Sequence, residues 1–387
     1  MFHSEVSRMR MDRRKLVTLA VLALLAGCKV IPKGPVTPTP TPTGPSSDVL
    51  PSDSQRHRVA LLVPLSGANA AVGQSIANAA TMALLDTNAA NLRVTNYDTS
   101  GNVASAAAKA IADGNRLILG PLLSEDIPAV VATARQANVP VISFSNDETA
   151  ATRDVFIMGN LPSESVERTV KYARSQGVKN FAALVPQGEY GQRASSALMA
   201  AARAQGGAVV AMESYDRSNP SVTSAARRLK VKGGYDAVLI ADGGRIAALS
   251  APLVKTTPAT RLLGTELWSG ESVIATTPAI RGAWFSAVAD TRFRQFANSY
   301  KTRFGAQPYR IATLGYDGVL LTLRVAREWK PGTTFPTGRM LDPGGFLGLD
   351  GPFRFGRNGV IERALEVREV RANGVVPVSP APASFGN

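Results

Sequence analysis

The chain of 387 residues contains 43 Lys and Arg against 29 Asp and Glu, a formal net charge of +14, and it has a single cysteine. One cysteine excludes an internal disulfide, so the hydrophobic core alone must hold the fold. The only histidines are His3, near the start, and His57. A histidine-based catalytic triad and a multi-histidine metal site are therefore excluded.

The amino-terminal segment has the pattern of a secretory signal peptide. Basic residues cluster between positions 8 and 15, and the apolar run over 16–26 is about half of the ~20 residues that a membrane-spanning helix needs. The run ends in LLAGC, which resembles the lipobox of bacterial lipoproteins. We predict that residues 1–27 are removed and that Cys28 is lipidated, so that three acyl chains anchor the protein. The alternative is an ordinary signal peptide followed by an incidental cysteine.

Residues 28–55 are predicted to form a disordered tether. The stretch is rich in Pro, Thr and Ser and cannot bury enough apolar surface to fold. Its prolines favour an extended chain, which would lift the folded body away from the lipid surface. The signal segment carries +3 of the total charge of +14, which leaves +11. In an exported protein this favours anionic membranes, cell-wall material or an acidic protein partner, and no nucleic acid; a generally basic solvated surface is the alternative.

The rest of the chain alternates between strands and helices. The run HRVALLV is continuously apolar after its first residues, as expected of a parallel strand covered on both faces. The alternation continues to residue 158, and a second series runs from a helix at 163–176 to a strand around Trp284. Two further helices and a Gly-rich stretch of short antiparallel strands follow. This order predicts an α/β protein with doubly wound parallel sheets.

Motifs for catalysis or cofactor binding are absent from the sequence. There is no P-loop, no Gly-x-Gly-x-x-Gly turn after a strand and no Gly-x-Ser-x-Gly nucleophile elbow. We therefore expect a non-enzymatic protein without catalytic residues, cofactor or metal. Asp242 and Glu266 each follow a strand of the second series, so a carboxylate-based enzyme stays open as the alternative.

Small polar residues recur at the carboxyl ends of the predicted strands, where ligands bind in open α/β sheets. Backbone N–H groups and hydroxyls there can hold an anion, and an acidic side chain can hold an ammonium group. The candidate ligand-binding residues are Ser66, Gly67, Ser124, Ser143, Ser145, Asn146, Tyr190, Asp242 and Glu266. For each serine the alternative is a helix cap or a turn. Glu125 and Asp126 follow Ser124 directly and would repel a ligand carboxylate.

Four stretches carry a resemblance to a known family. They are VALLVPLSGANAAVGQSIANAATMAL, ILGPLLSEDIPAVVATARQANVPVISFSN, FIMGNLPSE and FAALVPQGEYGQRASSAL. In this order they are similar to type 1 periplasmic binding proteins of the leucine-binding branch. Within that superfamily the chain most resembles the penicillin-binding-protein activator lipoproteins. The similarity extends over residues 57–376.

The resemblance implies the type 1 periplasmic-binding-protein fold, with two doubly wound parallel-sheet lobes joined by hinge strands. It places residues 56–160 and 284–344 in lobe 1, residues 161–283 and 345–378 in lobe 2, and a flexible tail at 379–387.

The family's amino-acid binders imply roles for several candidate residues. Positions matching Ser124 and Ser145 hold the ligand carboxylate, and Tyr190 matches the tyrosine that closes from the second lobe. An acidic residue near Asp242 or Glu266 takes the ammonium group.

Two functions remain open from the sequence. The resemblance to the activators implies a lipid-anchored protein that docks on a peptidoglycan synthase, a penicillin-binding protein. The alternative is a solute-binding protein of an ABC importer for amino acids or similar small polar ligands. We expect a periplasmic location, and Lys29 favours the outer membrane, because enteric lipoproteins kept in the inner membrane have Asp at this position.

Overall fold

The computed structural model of the protein describes residues 55–385. The predicted signal peptide, Cys28 and nearly all of the predicted tether lie outside the described residues. Within 55–385, no helix combines the length and the apolar character that crossing a membrane requires.

The first part of the described chain forms a parallel sheet of five strands. Its elements are β1 (His57–Val63), α1 (Ala70–Thr87), β2 (Leu92–Asp98), α2 (Val103–Ala112), β3 (Leu117–Leu119), α3 (Ile127–Gln136), β4 (Val141–Ser143) and β5 (Val155–Ile157). The strand order is β2-β1-β3-β4-β5, and every neighbouring pair is parallel. β3 and β4 are buried at every position because helices cover both faces of the sheet.

A second parallel series follows and builds a larger sheet. Its elements are α4 (Pro162–Ser175), β6 (Asn180–Pro186), α5 (Glu189–Ala204), β7 (Ala208–Tyr215), α6 (Asn219–Lys232), β8 (Ala237–Ile240), α7 (Gly244–Val254), β9 (Arg261–Leu263), α8 (Ser272–Thr276) and β10 (Trp284–Ala287). These strands are parallel in the order β10-β9-β8-β6-β7. The structure thus confirms the predicted α/β fold with two parallel-sheet lobes.

The carboxyl-terminal part of the chain contributes to both lobes. It consists of α9 (Thr291–Phe304), α10 (Thr313–Ala326), β11 (Phe346–Gly348), β12 (Gly351–Phe355), β13 (Ile361–Arg363), β14 (Glu366–Arg371) and β15 (Gly374–Ser379). α10 packs closely on α1, since a Cβ atom at Gly315 would lie 2.3 Å from the Ile76 carbonyl oxygen. β14 and β15 add to the larger sheet in antiparallel fashion, which brings it to seven strands.

Two segments lie in a different lobe from the one the sequence suggested. The resemblance places residues 284–344 in lobe 1, but β10, at residues 284–287, pairs with β9 and β14 inside the larger sheet of lobe 2. Residues 345–363 were expected in lobe 2. Instead, this segment forms a separate antiparallel sheet, β11–β13, that belongs to lobe 1. Its residues Phe353, Phe355 and Ile361 pack into the core of that lobe. The chain therefore crosses between the lobes after β5, after β10 and between β13 and β14.

A close backbone approach recurs at the start of both lobes. A Cβ atom at Gly73 in α1 would lie 1.7 Å from the Pro64 carbonyl oxygen, and one at Gly191 in α5 would lie 1.7 Å from that of Pro186. Any side chain would collide with the backbone, so only glycine permits this packing. The contact holds the first turn of each helix against the end of the preceding strand, and it thereby positions the loops that face the other lobe.

Candidate functional site

Arg193 joins the two lobes at the mouth of the cleft. It lies on α5 in lobe 2, and its guanidinium contacts the loop that follows β4 in lobe 1. Nη1 donates to Asn146 Oδ1 at 3.0 Å, and Nη2 lies 3.1 Å from Asp147 Oδ2 and donates to Glu189 Oε2 at 2.6 Å. Only 15% of the Arg193 side chain is exposed, and 18% of that of Asp147, so solvent screens this ion pair only in part. The arrangement forms a latch across the cleft.

A second contact of the latch uses a residue that was predicted to bind ligand. Ser124 Oγ donates to Glu189 Oε2 from the opposite lobe at 3.4 Å. In this conformation the Ser124 hydroxyl therefore meets a carboxylate of the protein itself. Burial, together with the neighbouring Glu125, raises the pKa of Asp126 at the same corner.

Ser66 and Gly67 form a turn at the end of β1. The Ser66 hydroxyl donates to Asp98 Oδ2 at 2.7 Å, and the Ser100 hydroxyl donates to the Ser66 carbonyl at 2.6 Å. Backbone N–H groups of Leu65 and Ser100 donate to Asp98 as well, and these bonds hold the pKa of Asp98 far below its usual range. Gly67 has φ +70°, which the turn requires. The Ser66 hydroxyl is thus committed to the loop.

Ser143 and Ser145 shape the loop after β4. Ser143 is fully buried; its hydroxyl donates to the Pro121 carbonyl at 3.0 Å and accepts from the backbone N–H of Ser145 at 3.1 Å. The Ser145 hydroxyl accepts from the backbone N–H of Asp147 at 3.1 Å. Both hydroxyls therefore support the loop that carries the latch partners Asn146 and Asp147.

In lobe 2 the structure brings Tyr190 and Glu266 together. The Tyr190 hydroxyl donates to Glu266 Oε1 at 2.9 Å and lies equally close to Thr265 Oγ1. Burial is the main cause of two shifts: it raises the pKa of Glu266 to about 7 and that of Tyr190 well above its usual value.

Asp242 belongs to a different group from Glu266. Its Oδ2 accepts from the Tyr215 hydroxyl and from Arg217 Nε, each at 2.9 Å, and its Oδ1 accepts from the backbone N–H of Gly243. The two acidic residues are therefore not joined as a carboxylate pair. No cluster with the composition of a metal site occurs within residues 55–385.

A cavity lies beyond Glu266, where the chain crosses between the lobes. We call it the hinge cavity; its lining residues are Asn160, Leu161, Glu164, Ser165, Glu266, Ser269, Ala287, Val288, Arg310, Arg363 and Leu365. Water centres can occupy about 30 Å³ of it, enough for about two water molecules and too little for an amino acid. Burial raises the pKa of Glu164 to about 8.

Sequence reasoning found Glu266 but missed the arginines and Glu164. Arg310 precedes α10 and Arg363 lies in a strand of alternating character, where an arginine is usually a surface residue. Neither has a motif around it. Arg193, which forms the latch, lies three residues after Tyr190 in EYGQR. This spacing of about one helical turn, which puts Arg193 on the same face of α5 as Tyr190, is the signal in the sequence that could have identified it as a cleft residue.

Two facing α/β lobes, with strand-end loops along the cleft and a cavity at the hinge, define a binding protein of the two-lobe class. The chain belongs to the periplasmic binding protein family, whose sequence profile matches residues 57–374.

Solved structures with the same fold include several solute-binding proteins. A putative branched-chain amino acid ABC transporter protein from Rhodospirillum rubrum superposes with a TM-score of 0.73 at 21% identity, covering 84% of this chain and 100% of that one. A solute-binding protein from Rhodopseudomonas palustris, in complex with 3,4-dihydroxybenzoic acid, gives 0.69 at 19% identity over 86% and 98%. LivJ from Streptococcus pneumoniae, in complex with isoleucine, gives 0.64 at 18% identity over 84% and 100%.

A curated relative is similar in sequence over part of its length. An uncharacterised protein of Rickettsia prowazekii is 26% identical over 210 residues, which are 54% of this chain and 53% of that protein. The match thus spans about half the length of this relative. The family is thus one of binding proteins, and the solved neighbours include solute-binding proteins.

The latch leads to a prediction about cleft opening. Replacing Arg193 with Ala removes hydrogen bonds to charged groups, each of which contributes about 1.5–3 kcal/mol. We expect amide hydrogen exchange at residues 144–149 to become about tenfold faster or more, because local opening of this loop costs less. Arg203→Ala is the matched control, since Arg203 is exposed on the same helix. Equal exchange in both variants would show that the latch does not hold the cleft.

The raised pKa of Glu266 leads to a prediction about stability. Since the folded state favours the protonated carboxyl, the free energy of unfolding should fall as the pH rises from about 5 to about 8. Glu266→Gln should remove up to about 3 kcal/mol of that decrease, as measured by urea unfolding. Glu164 and Asp317, whose pKa values are also raised, preserve part of the slope. The exposed Glu167→Gln serves as control, and an unchanged slope in the Glu266 variant would contradict the assignment.

Proposed function

We propose that this protein is a non-enzymatic, lipid-anchored periplasmic protein that docks on a protein partner of the cell envelope. The partner class implied by the resemblance is a peptidoglycan synthase. The observation that carries the proposal is that the polar groups of the cleft bond to each other across the lobes. Arg193 bonds to Asn146 and Asp147, and Glu189 accepts from Ser124. These are the loops from which a captured solute would take its hydrogen bonds.

Solute capture would have to break this latch. A ligand that takes its hydrogen bonds from the loops of Ser124 and Asn146 must first displace a partly buried ion pair and its hydrogen bonds. A protein that docks on a partner does not need to break the latch, because the partner binds the outer surface of the closed form. The predicted excess of positive charge supports an acidic partner surface.

Solute binding for an ABC importer is the second candidate function. The observation that favours it is the Tyr190–Glu266 pair, which lies beside the hinge cavity and could turn toward a ligand when the lobes open. Solved neighbours were crystallised with isoleucine and with 3,4-dihydroxybenzoic acid. An amino acid or an aromatic acid is therefore the ligand class to test.

One experiment separates the two functions. The full-length protein in detergent is immobilised and challenged with purified bifunctional peptidoglycan synthases of the same organism, and it is screened in parallel by thermal shift against amino acids and aromatic acids. We expect saturable capture of one synthase and faster glycan polymerisation by it, without a shift from any solute in the screen. A clear shift with one solute, combined with no synthase captured, would overturn the proposal in favour of solute binding.

The lipid anchor has its own test. Cys28→Ser should abolish labelling by a palmitate analogue and move the protein from the membrane fraction to the aqueous periplasmic fraction. Adding Thr37→Cys to this variant restores a thiol nine positions away, outside the lipobox, and should not restore the anchor. Membrane retention of the single variant would contradict lipidation at Cys28.

A further inference from the structure

We propose that the hinge cavity is a binding site for a small carboxylate, held by the guanidinium groups of Arg363 and Arg310. Of the candidate cleft residues, only Glu266 lines this cavity. The inference does not depend on whether the protein docks on a partner or captures a solute.

Arg363 is a buried cation without a bonded counter-ion. The residue is 7% exposed, and its side chain makes one hydrogen bond, from Nη2 to the Met158 carbonyl at 2.7 Å. Nε and Nη1 are buried without a hydrogen-bond partner, and no carboxylate of residues 55–385 forms an ion pair with this guanidinium. Glu164 accepts the backbone N–H of Arg363 at 2.5 Å. An arginine does not lose its proton, so this charge favours a bound anion.

Arg310 contributes the second cation of the cavity. Its Nη1 donates to Asp350 Oδ1 at 2.8 Å, so this nitrogen of the guanidinium is already bonded within the protein. Nε and Nη2 are buried without a hydrogen-bond partner, and Nε forms only a long ion pair with Asp290 Oδ1, at 3.8 Å. These two N–H groups, which make no hydrogen bond and share one guanidinium edge, match the two oxygens of a carboxylate.

The opposite wall suits a carboxylate as well. Glu266 Oε2 is buried without a hydrogen-bond partner. Because burial raises the pKa of Glu266 and of Glu164, both carboxyls hold a proton over much of the range around neutrality, and a protonated carboxyl can donate to a bound anion instead of repelling it. Asp350 and one oxygen of Asp290 are engaged, since Asp350 accepts from Thr313 at 2.7 Å and Asp290 Oδ2 accepts from Arg368 at 2.6 Å. Asp290 Oδ1 is buried without a hydrogen-bond partner and forms a long ion pair with Arg310 Nε at 3.8 Å, so a bound carboxylate would compete with it for that N–H group.

The size of the cavity selects the ligand. Space for about two water molecules fits formate or acetate. Four apolar residues, Leu161, Ala287, Val288 and Leu365, offer contact to a methyl group. Arg310 and Arg363 belong to elements packed on lobe 1, and Glu266 belongs to lobe 2. A bound carboxylate would therefore bridge the lobes and favour the closed form.

The test uses the full-length protein in detergent, in a buffer free of organic acids, with acetate as the probe. Calorimetric titration at pH 6, at an ionic strength held constant with sodium chloride, should show saturable binding of acetate and formate. Isoleucine and benzoate, which are too large for the cavity, should not compete with acetate, and the cation methylammonium should not bind. Arg363→Gln should weaken acetate binding at least tenfold, whereas Arg203→Gln, at an exposed site on α5, should leave it unchanged.

A pH series and a second variant keep the test decisive if Arg363→Gln fails to fold. Acetate binding should weaken from pH 6 to pH 8 as Glu164 and Glu266 ionise opposite Arg310 and Arg363. Glu266→Gln imitates the protonated carboxyl, so it should retain more of the binding at pH 8 than the unmodified protein. Absence of saturable acetate binding at both pH values, or binding unaffected by pH and by both variants, would overturn the proposal.

Discussion

Arg368 connects two neighbouring strands of the larger sheet, β10, after which the chain leaves lobe 2, and β14, at which it returns. From β14, its guanidinium donates to the Val288 carbonyl and to Asp290 Oδ2, just after β10, and to Glu366 beside it. Asp290 also approaches Arg310, which pairs with Asp350. The relative position of the lobes depends on this chain of charges, which is buried at Arg368 and Asp350 and half-buried at Asp290. Removing one member would leave a buried charge uncompensated, which costs about 3–5 kcal/mol.

The same network continues into the helical side of lobe 1. Asp317 on α10 accepts the backbone N–H groups of Leu349 and Asp350, and burial and the Asp350 carboxylate raise its pKa. The outer cleft, by contrast, is satisfied by the latch around Arg193, while the hinge cavity retains unpartnered groups on Arg363 and Glu266. The hinge, where the lobes meet, thus differs from the outer cleft in these unpartnered polar groups.

Continuous apolar runs predicted most of the strands, because strands covered on both faces have no polar side to mark. Local composition does not, however, tell which strands pair. β10 pairs Trp284 with Glu369, residues far apart in sequence, and this partner could not be predicted from the apolar run. Small polar loops correctly indicated where the strands end, but which hydroxyl bonds to which acid is a matter of three-dimensional contact. Arg193 and Arg363 were missed because they are two among 43 Lys and Arg.

The three crossings also determine when the protein can become folded. Lobe 1 lacks part of its core until Ile361 is available, and the sheet of lobe 2 lacks β14 and β15 until residue 379. A growing chain therefore completes lobe 1 only after residue 361 and lobe 2 only after residue 379. The last strands to be made, β14 and β15, are therefore the step on which cooperative folding of the larger sheet waits.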